Sequence, residues 1–158
     1  MPRVASHKRL KIHGTSAERK KIRAGLKLME RYGWEEYLPD VCVITALDTV
    51  SHTSGPFVKG KNNCIEINIE PDDLKDDVET ALSIRHESHH ARDIVERGLG
   101  AVDEVEDELQ VHEETKQDVV DAMAKEDRPS HLGRLDEELE QQESYIEHYR
   151  KQKREENQ

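Results

Sequence analysis

Five consecutive residues near the middle of the chain have the types and the spacing of a metal site. The segment His86-Glu87-Ser88-His89-His90 matches the pattern H-E-x-x-H. Residues four apart on an α-helix lie on the same face, so the imidazoles of His86 and His90 can bind one tetrahedral Zn²⁺. Glu87 can reach a water molecule on that metal, which is the place of a general base. The pattern therefore predicts a zinc site on a helix, with Glu87 as the catalytic residue.

The residues around this motif predict how the helix is oriented. Projected at roughly 100° per residue, four apolar side chains form one buried sector, and His86 and His90 lie along its edge. These four are Ile84, Ala91, Ile94 and Val95. His89 falls on the opposite, polar side with Arg85 and Asp93, where we expect it to be solvated or to support a metal ligand. The projection thus selects His86 and His90 as the inward pair.

A third metal ligand is expected from the next helix, because two histidines leave a tetrahedral site short of ligands. That helix is predicted to run from about Asp103 to Lys125. Among its many acids, Glu108 projects toward the buried stripe and is the first choice. His112 lies within the stripe and is the alternative, which would give a site of three histidines.

An H-E-x-x-H helix followed by an acidic helix resembles the zincin metallopeptidases, and specifically a minimal form of their gluzincin branch. The segment Glu108-Leu109-Gln110-Val111-His112 is similar to the second-helix pattern of that branch. This resemblance implies that Glu108 is the third zinc ligand and that His112 supports a ligand or the transition state. It implies hydrolysis of peptide bonds in a peptide or protein substrate. A protein donor to the oxyanion is also expected, and the candidates are His112, His131 and Tyr145.

The fold that the resemblance implies is α+β. A small antiparallel or mixed sheet would pack on the H-E-x-x-H helix and on the ligand-bearing helix, with further helices toward both termini. In zincins, a strand near the metal cleft pairs with the extended substrate backbone. The strand at 64–70, or its neighbour around Phe57 and Val58, is the one expected to do so here.

Local signals place the elements that must position the motif. Thr15 and Glu18 form a capping box that begins a helix, and Gly33 ends it. The β-branched segment 41–47 is predicted to be a buried strand, and the alternating segment 64–70 a half-buried strand at a sheet edge. Glycine and proline make 51–63 a predicted loop with at most a short strand. Asp76 or Asp77 is expected to cap the motif helix.

The predicted organisation is one central domain with extensions. Leucine, isoleucine and tyrosine at spacings of three and four toward the C-terminus predict an amphipathic helix that packs on the chain or pairs with a second copy. The four predicted segments are a flexible basic arm (1–14), a metallopeptidase-like domain (15–125), a linker (126–133) and a C-terminal amphipathic helix with a charged tail (134–158).

Composition restricts the class of protein further. The 158 residues are 34% hydrophobic and 37% charged, which suits one domain with a small core. No apolar run approaches membrane-spanning length and no hydrophobic signal region begins the chain, so we expect a soluble cytoplasmic protein without a membrane partner. Cys42 and Cys64 are accordingly interpreted as two buried thiols.

The charge distribution supports an alternative from a different class. Residues 1–31 contain ten Lys or Arg against Glu18 and Glu30, a local charge of +8 in a chain of net charge −11. A basic arm of this kind can contact nucleic acid or an acidic partner. The alternative is therefore a non-catalytic binding or assembly protein, with a structural metal site and a C-terminal helix for association.

Overall fold

The computed structural model describes residues 10–48, 51–59, 62–97 and 104–157. The chain divides into two compact units, Met1–Gly98 and Leu99–Gln158. Within the described residues, the first unit contains a four-stranded mixed sheet and two α-helices, and the second contains two α-helices. The α+β class is therefore confirmed. The division falls ahead of the predicted linker at 126–133, between the motif helix and the helix that follows it.

The sheet of the first unit has three parallel strands and one antiparallel strand. Its strands are β1 (Lys11–His13), β2 (Val41–Ala46), β3 (His52–Lys59) and β4 (Asn62–Ile69), in the spatial order β1-β2-β4-β3. Strands β1, β2 and β4 are parallel, and β3 pairs antiparallel with β4. The prediction that 64–70 forms an edge strand is wrong, because β4 lies between β2 and β3. The neighbour that we named as the other candidate, β3, is at the end of the sheet.

Two segments that were not predicted as regular strands belong to this sheet. The sequence predicts that 51–63 form a loop with at most a short strand, yet His52–Lys59 form an eight-residue strand that pairs with β4. Lys11–His13 were placed in the basic arm, yet they form β1 beside β2. The rest of that arm, residues 1–9, lies outside the described residues. Pairing with a neighbouring strand of the sheet overrides the local loop signals at both places.

Helix α1 (Ser16–Tyr32) begins and ends where the sequence predicts. The Thr15 hydroxyl accepts from the Glu18 amide at 3.1 Å, and the Glu18 carboxylate accepts from the Thr15 amide at 2.8 Å. Gly33 closes the helix in the left-handed conformation at φ 77°. Ile22, Leu26 and Met29 follow one another at spacings of four and three on this helix, and all three are buried.

Helix α2 (Asp77–Arg97) carries the H-E-x-x-H motif. The Asp76 carboxylate caps it by accepting from the Glu79 amide at 2.8 Å. The helix packs against α1, and Gly25 makes the close approach possible, because a Cβ there would lie 2.5 Å from Cγ2 of Thr80. The sequence predicts that the glycines at 98 and 100 end this helix, and both lie outside the described residues.

The core of the first unit is formed where α1 and α2 meet the sheet. The isoleucines of β4 lie at alternate positions and are fully buried, which confirms the alternation from which the strand was predicted. The largest buried apolar side chains of this unit are Ile22, Met29, Tyr32, Trp34, Leu38, Ile44, Ile65, Ile67, Ile69, Leu74 and Ile84.

Cys42 on β2 corrects another expectation. It is disulfide-bonded, and no cysteine within the described residues is free. The interpretation of the cysteines as buried thiols is therefore wrong. Sequence spacing could not reveal this, because a disulfide requires two cysteines to be close in space rather than in sequence.

The second unit is a helical hairpin of α3 (Glu104–Lys125) and α4 (Pro129–Glu156). Helix α4 begins at Pro129, inside the predicted linker. Ion pairs from Lys116 to Glu143 at 3.6 Å and from Arg150 to Glu113 at 3.3 Å show that the two helices are antiparallel. None of the helices among the described residues is both long enough and apolar enough to cross a membrane.

Candidate metal centre

His86 and His90 lie one turn apart on the same side of α2. Their ring centroids are 5.0 Å apart and the rings are nearly perpendicular, at 78°. Both side chains are half-buried, so they combine access to solvent with a fixed surrounding. A nitrogen of each ring and a carboxylate oxygen of Glu87 all lie within 4.8 Å of one another. The structure thus brings the three predicted residues of the motif together.

Glu87 is held by a residue of the end strand β3. The Thr53 hydroxyl lies 2.8 Å from Oε1 of Glu87 and 2.9 Å from the Glu87 backbone carbonyl. The hydroxyl has one proton, so it donates to one of these acceptors at a time. Glu87 is only 6% exposed. A buried carboxylate with a defined donor has a defined orientation, which a general base requires.

The side of α2 that the sequence assigned to solvent is buried. Arg85 donates to the Trp34 carbonyl at 3.0 Å and pairs with Glu36 at 2.9 Å. His89 is 2% exposed, and its ring meets the ring of Tyr37 edge-on at 5.5 Å. The first alternative for His89, that it is solvated, is therefore wrong, and its support of a metal ligand stays a prediction. The segment after α1 covers this side of the helix, and polarity alone did not reveal that cover.

Two cations lie close to the same Tyr37 ring. The guanidinium carbons of Arg85 and Arg92 are 5.1 and 5.2 Å from its centroid, within the range of cation–π attraction. Arg92 also donates to Asp93 at 2.8 Å, and Asp93 is 4% exposed. These contacts bind α2 to the segment after α1 on the side away from the motif histidines.

The predicted buried sector of α2 is correct at its centre and wrong at its end. Ile84 and Ala91 are fully buried and Ile94 is half-buried. Val95, near the end of the helix, is 47% exposed.

Glu108 and His112, the predicted third ligand and its alternative, belong to α3 in the second unit. His112 Nε2 lies 3.6 Å from Oε2 of Glu108, one turn away on the same helix. His112 is buried and Glu108 is half-buried, as the helical projection predicts. That either residue binds a metal ion together with His86 and His90 stays a prediction.

The donor set of the first unit fits a zinc ion. Imidazole nitrogens and carboxylate oxygens are ordinary ligands of Zn²⁺, and His86 and His90 supply two of them with i, i+4 spacing. Glu87 has two possible roles in such a site. It acts as a base if another residue supplies the third ligand, and it is itself a ligand if none does.

Thr53 is the residue of the site that sequence reasoning missed. Its position was predicted to be loop, because 51–63 contains Gly-Pro and Asn-Asn pairs, which are typical of loops. The sequence signal for a strand was the β-branched Thr53 together with Phe57 and Val58 a few residues later, since residues of these types favour strands. Beside it, Nε2 of His52 lies 3.1 Å from the Asn68 amide nitrogen, a contact that joins β3 to β4 next to Thr53.

Comparisons with protein-family models, with curated proteins and with solved structures give no match to this chain. The functional argument therefore rests on the residues and their geometry.

Proposed function

We propose that this chain is a zinc-dependent metallopeptidase in which His86 and His90 bind the metal and Glu87 is the general base. The proposal is supported chiefly by one observation. The Glu87 carboxylate is buried beside both histidines and accepts a hydrogen bond from Thr53 at 2.8 Å. Glu108 is the proposed third ligand, on the strength of its helical position and of the resemblance to gluzincins.

The proposed reaction is the addition of water to a peptide carbonyl. Zn²⁺ held by His86 and His90 would polarise the carbonyl and would make a water molecule acidic near neutral pH. Glu87 accepts one proton from the attacking water and passes it to the amine as the C–N bond breaks, so that the hydroxyl remains on the new carboxyl group. Thr53 keeps the carboxylate directed during both transfers.

Strand β3 supports the peptide character of the substrate. It stands at the end of the sheet, and its Thr53 contacts the motif helix directly. An end strand has free backbone donors and acceptors that an extended peptide can pair with. Such pairing would bring a substrate backbone alongside Glu87.

The decisive experiment combines elemental analysis with four variants. The purified chain is expected to contain about one zinc per molecule. His86→Ala and His90→Ala should lose the metal, whereas His13→Ala, an exposed histidine of the same unit, should keep it. Glu87→Gln should keep the metal and lose cleavage of a mixture of synthetic peptides, followed by mass spectrometry.

The matched control for the base is Glu96→Gln, because Glu96 is exposed on the same helix. It should keep both the metal and the cleavage activity. A native chain without zinc, whose melting temperature is unchanged by a chelator, would overturn the proposal. Loss of the metal in Glu87→Gln would instead make Glu87 a ligand of a structural site.

The second candidate is the binding protein with a structural metal. One observation favours it: Lys20, Arg23, Lys27 and Arg31 are exposed on α1 at spacings of three and four, and so share one face of the helix. A row of cations of this kind suits the phosphates of a nucleic acid. Affinity for a DNA duplex that falls steeply with salt, in a chain without peptidase activity, would favour this candidate.

Association through the C-terminal helix is part of the same candidate. Helix α4 packs on α3 within the chain, and its Leu135, Gln142 and Ile146 are buried. These residues belong to the apolar face of the helix, which is the face that the sequence predicts for packing or for pairing with a second copy. A homo-oligomer therefore needs another surface of α4, and molar mass by light scattering over a range of dilutions would detect it.

A further inference from the structure

The hairpin of the second unit contains a buried polar centre at His112. This histidine is 7% exposed, and its Nδ1 lies 2.7 Å from Oε1 of Gln142 on α4. Gln142 is itself 5% exposed. A buried contact this short between two polar side chains fixes both of them.

The contact also determines which nitrogen of His112 carries the proton. An amide oxygen only accepts hydrogen bonds, so Nδ1 must donate to Gln142. In the neutral imidazole the other nitrogen, Nε2, then carries the lone pair that a metal requires. A metal-binding histidine commonly has this arrangement, with its second nitrogen donating to a neighbouring oxygen.

Two tyrosines of α4 restrict the rotation of the imidazole. The rings of Tyr145 and Tyr149 have centroids 4.7 and 5.5 Å from that of His112, at interplanar angles of 32° and 19°. Rotation about the ring axis would break the bond to Gln142. Nε2 therefore keeps its direction toward Glu108.

Nε2 of His112 lies 3.6 Å from Oε2 of Glu108. Two ligand atoms of one tetrahedral zinc ion are roughly 3.3–3.5 Å apart, since each is about 2.0–2.2 Å from the metal. A lone pair this close to a carboxylate oxygen is repelled by it unless a proton or a metal ion lies between them. His112 and Glu108 thus have the ligand-to-ligand distance of a zinc site, and a cation between them would be electrostatically favourable.

We propose that Glu108 and His112 together are metal ligands of the second unit, and that Gln142 is the positioning residue that fixes the His112 tautomer. This inference rests on the metal-binding part of the proposed function and extends it. His112 becomes a ligand beside Glu108 rather than its substitute. If His86 and His90 share the ion, the attacking water would enter as a fifth ligand. Gln142 acquires a role that the sequence did not suggest.

The test uses the full chain and two measurements. Long-range ¹H–¹⁵N spectra of the metal-free protein report the tautomer of His112, assigned with His112→Gln. The proton is expected on Nδ1 in the native chain and in Gln142→Glu, which keeps an acceptor. Titration with Zn²⁺ should show affinity reduced by roughly 10–100-fold in Gln142→Leu and retained in Gln142→Glu.

Gln117→Leu is the matched control, because Gln117 is exposed on α3. It should leave both the tautomer and the zinc affinity unchanged. A native proton on Nε2, or an unchanged zinc affinity in folded Gln142→Leu, would overturn the inference, and so would a native chain that binds no zinc.

The variants of the two units separate this inference from the proposed function. Zinc lost in His86→Ala but kept in Gln142→Leu and His112→Ala refutes the inference alone. If His86→Ala keeps its zinc but Gln142→Leu binds zinc more weakly, the proposed catalytic site is refuted. The proposal that Glu108 and His112 are metal ligands is then supported.

Discussion

Replacing Thr53 by valine should destabilise the first unit through its effect on Glu87. Valine has nearly the shape of threonine and suits a strand, so β3 itself should remain intact. The change removes one hydroxyl, which lies 2.8 Å from the Glu87 carboxylate and 2.9 Å from the Glu87 carbonyl. Glu87 is 6% exposed, so water replaces the lost donor poorly.

The expected magnitude follows from these contacts. A hydrogen bond to a charged group contributes about 1.5–3 kcal/mol to stability, and leaving a buried acceptor without it costs a similar amount. Valine recovers a few tenths of a kcal/mol through its preference for strands. We therefore expect a net loss of about 1–2.5 kcal/mol in the free energy of unfolding.

Trp34 makes the measurement specific to the first unit. It is the one tryptophan of the chain and is 2% exposed, so its fluorescence reports unfolding of its own surroundings. Urea unfolding followed at this residue should give a lower midpoint for Thr53→Val with an unchanged slope. Thr53→Ser keeps the hydroxyl and should lose much less. Thr45→Val, at a half-buried position of β2, controls for the general effect of the exchange.

A double-mutant cycle isolates the contact with the carboxylate. Glu87→Met removes the side-chain acceptor at similar volume, and the cycle with Thr53→Val should give a coupling of about 0.5–3 kcal/mol. If Thr53→Val costs the same in both backgrounds, the hydroxyl does not support the carboxylate. The reasoning that assigns Thr53 to the site would then be refuted.

Two further predictions concern the frame that holds α2. Gly25→Ala should destabilise the first unit by about 1–3 kcal/mol, because the new Cβ would lie 2.5 Å from Cγ2 of Thr80. In a Thr80→Ser background, which lacks that methyl group, most of this loss in the urea midpoint should disappear; an equal loss would contradict the steric explanation. Reduction of the Cys42 disulfide should lower stability by about 2–4 kcal/mol, whereas Cys42→Ser should not respond to the reductant.

Elements defined by short-range chemistry were predictable from the sequence. The capping box of Thr15 and Glu18 fixes the start of α1 through bonds three residues apart, and Gly33 ends that helix through its own backbone conformation. The spacing of His86 and His90 needs only the geometry of one helix. In each case the information lies within about one turn of the chain.

The remaining features depend on partners more than one helical turn away along the chain. Strand β3 exists because it pairs with β4, the next strand in the sequence, and its loop-like composition conceals that pairing. Arg85 is buried because the Trp34 carbonyl and Glu36, about fifty residues earlier, satisfy its guanidinium. A helical projection assumes that polar side chains are exposed to solvent. A polar side chain with partners elsewhere in the fold can be buried, and the projection then assigns it to the wrong environment.

The burial of the polar side of α2 bears directly on the proposed chemistry. A base and two ligands on one helix keep their geometry only if the helix cannot rotate about its axis. On one side, Arg85 and the ring of Tyr37 tie α2 to the segment after α1. Elsewhere, Thr53 ties the Glu87 backbone and carboxylate to the sheet. A rotation of α2 would break at least one of these attachments, so the direction of His86 and His90 is fixed by buried polar contacts that the histidines themselves do not make.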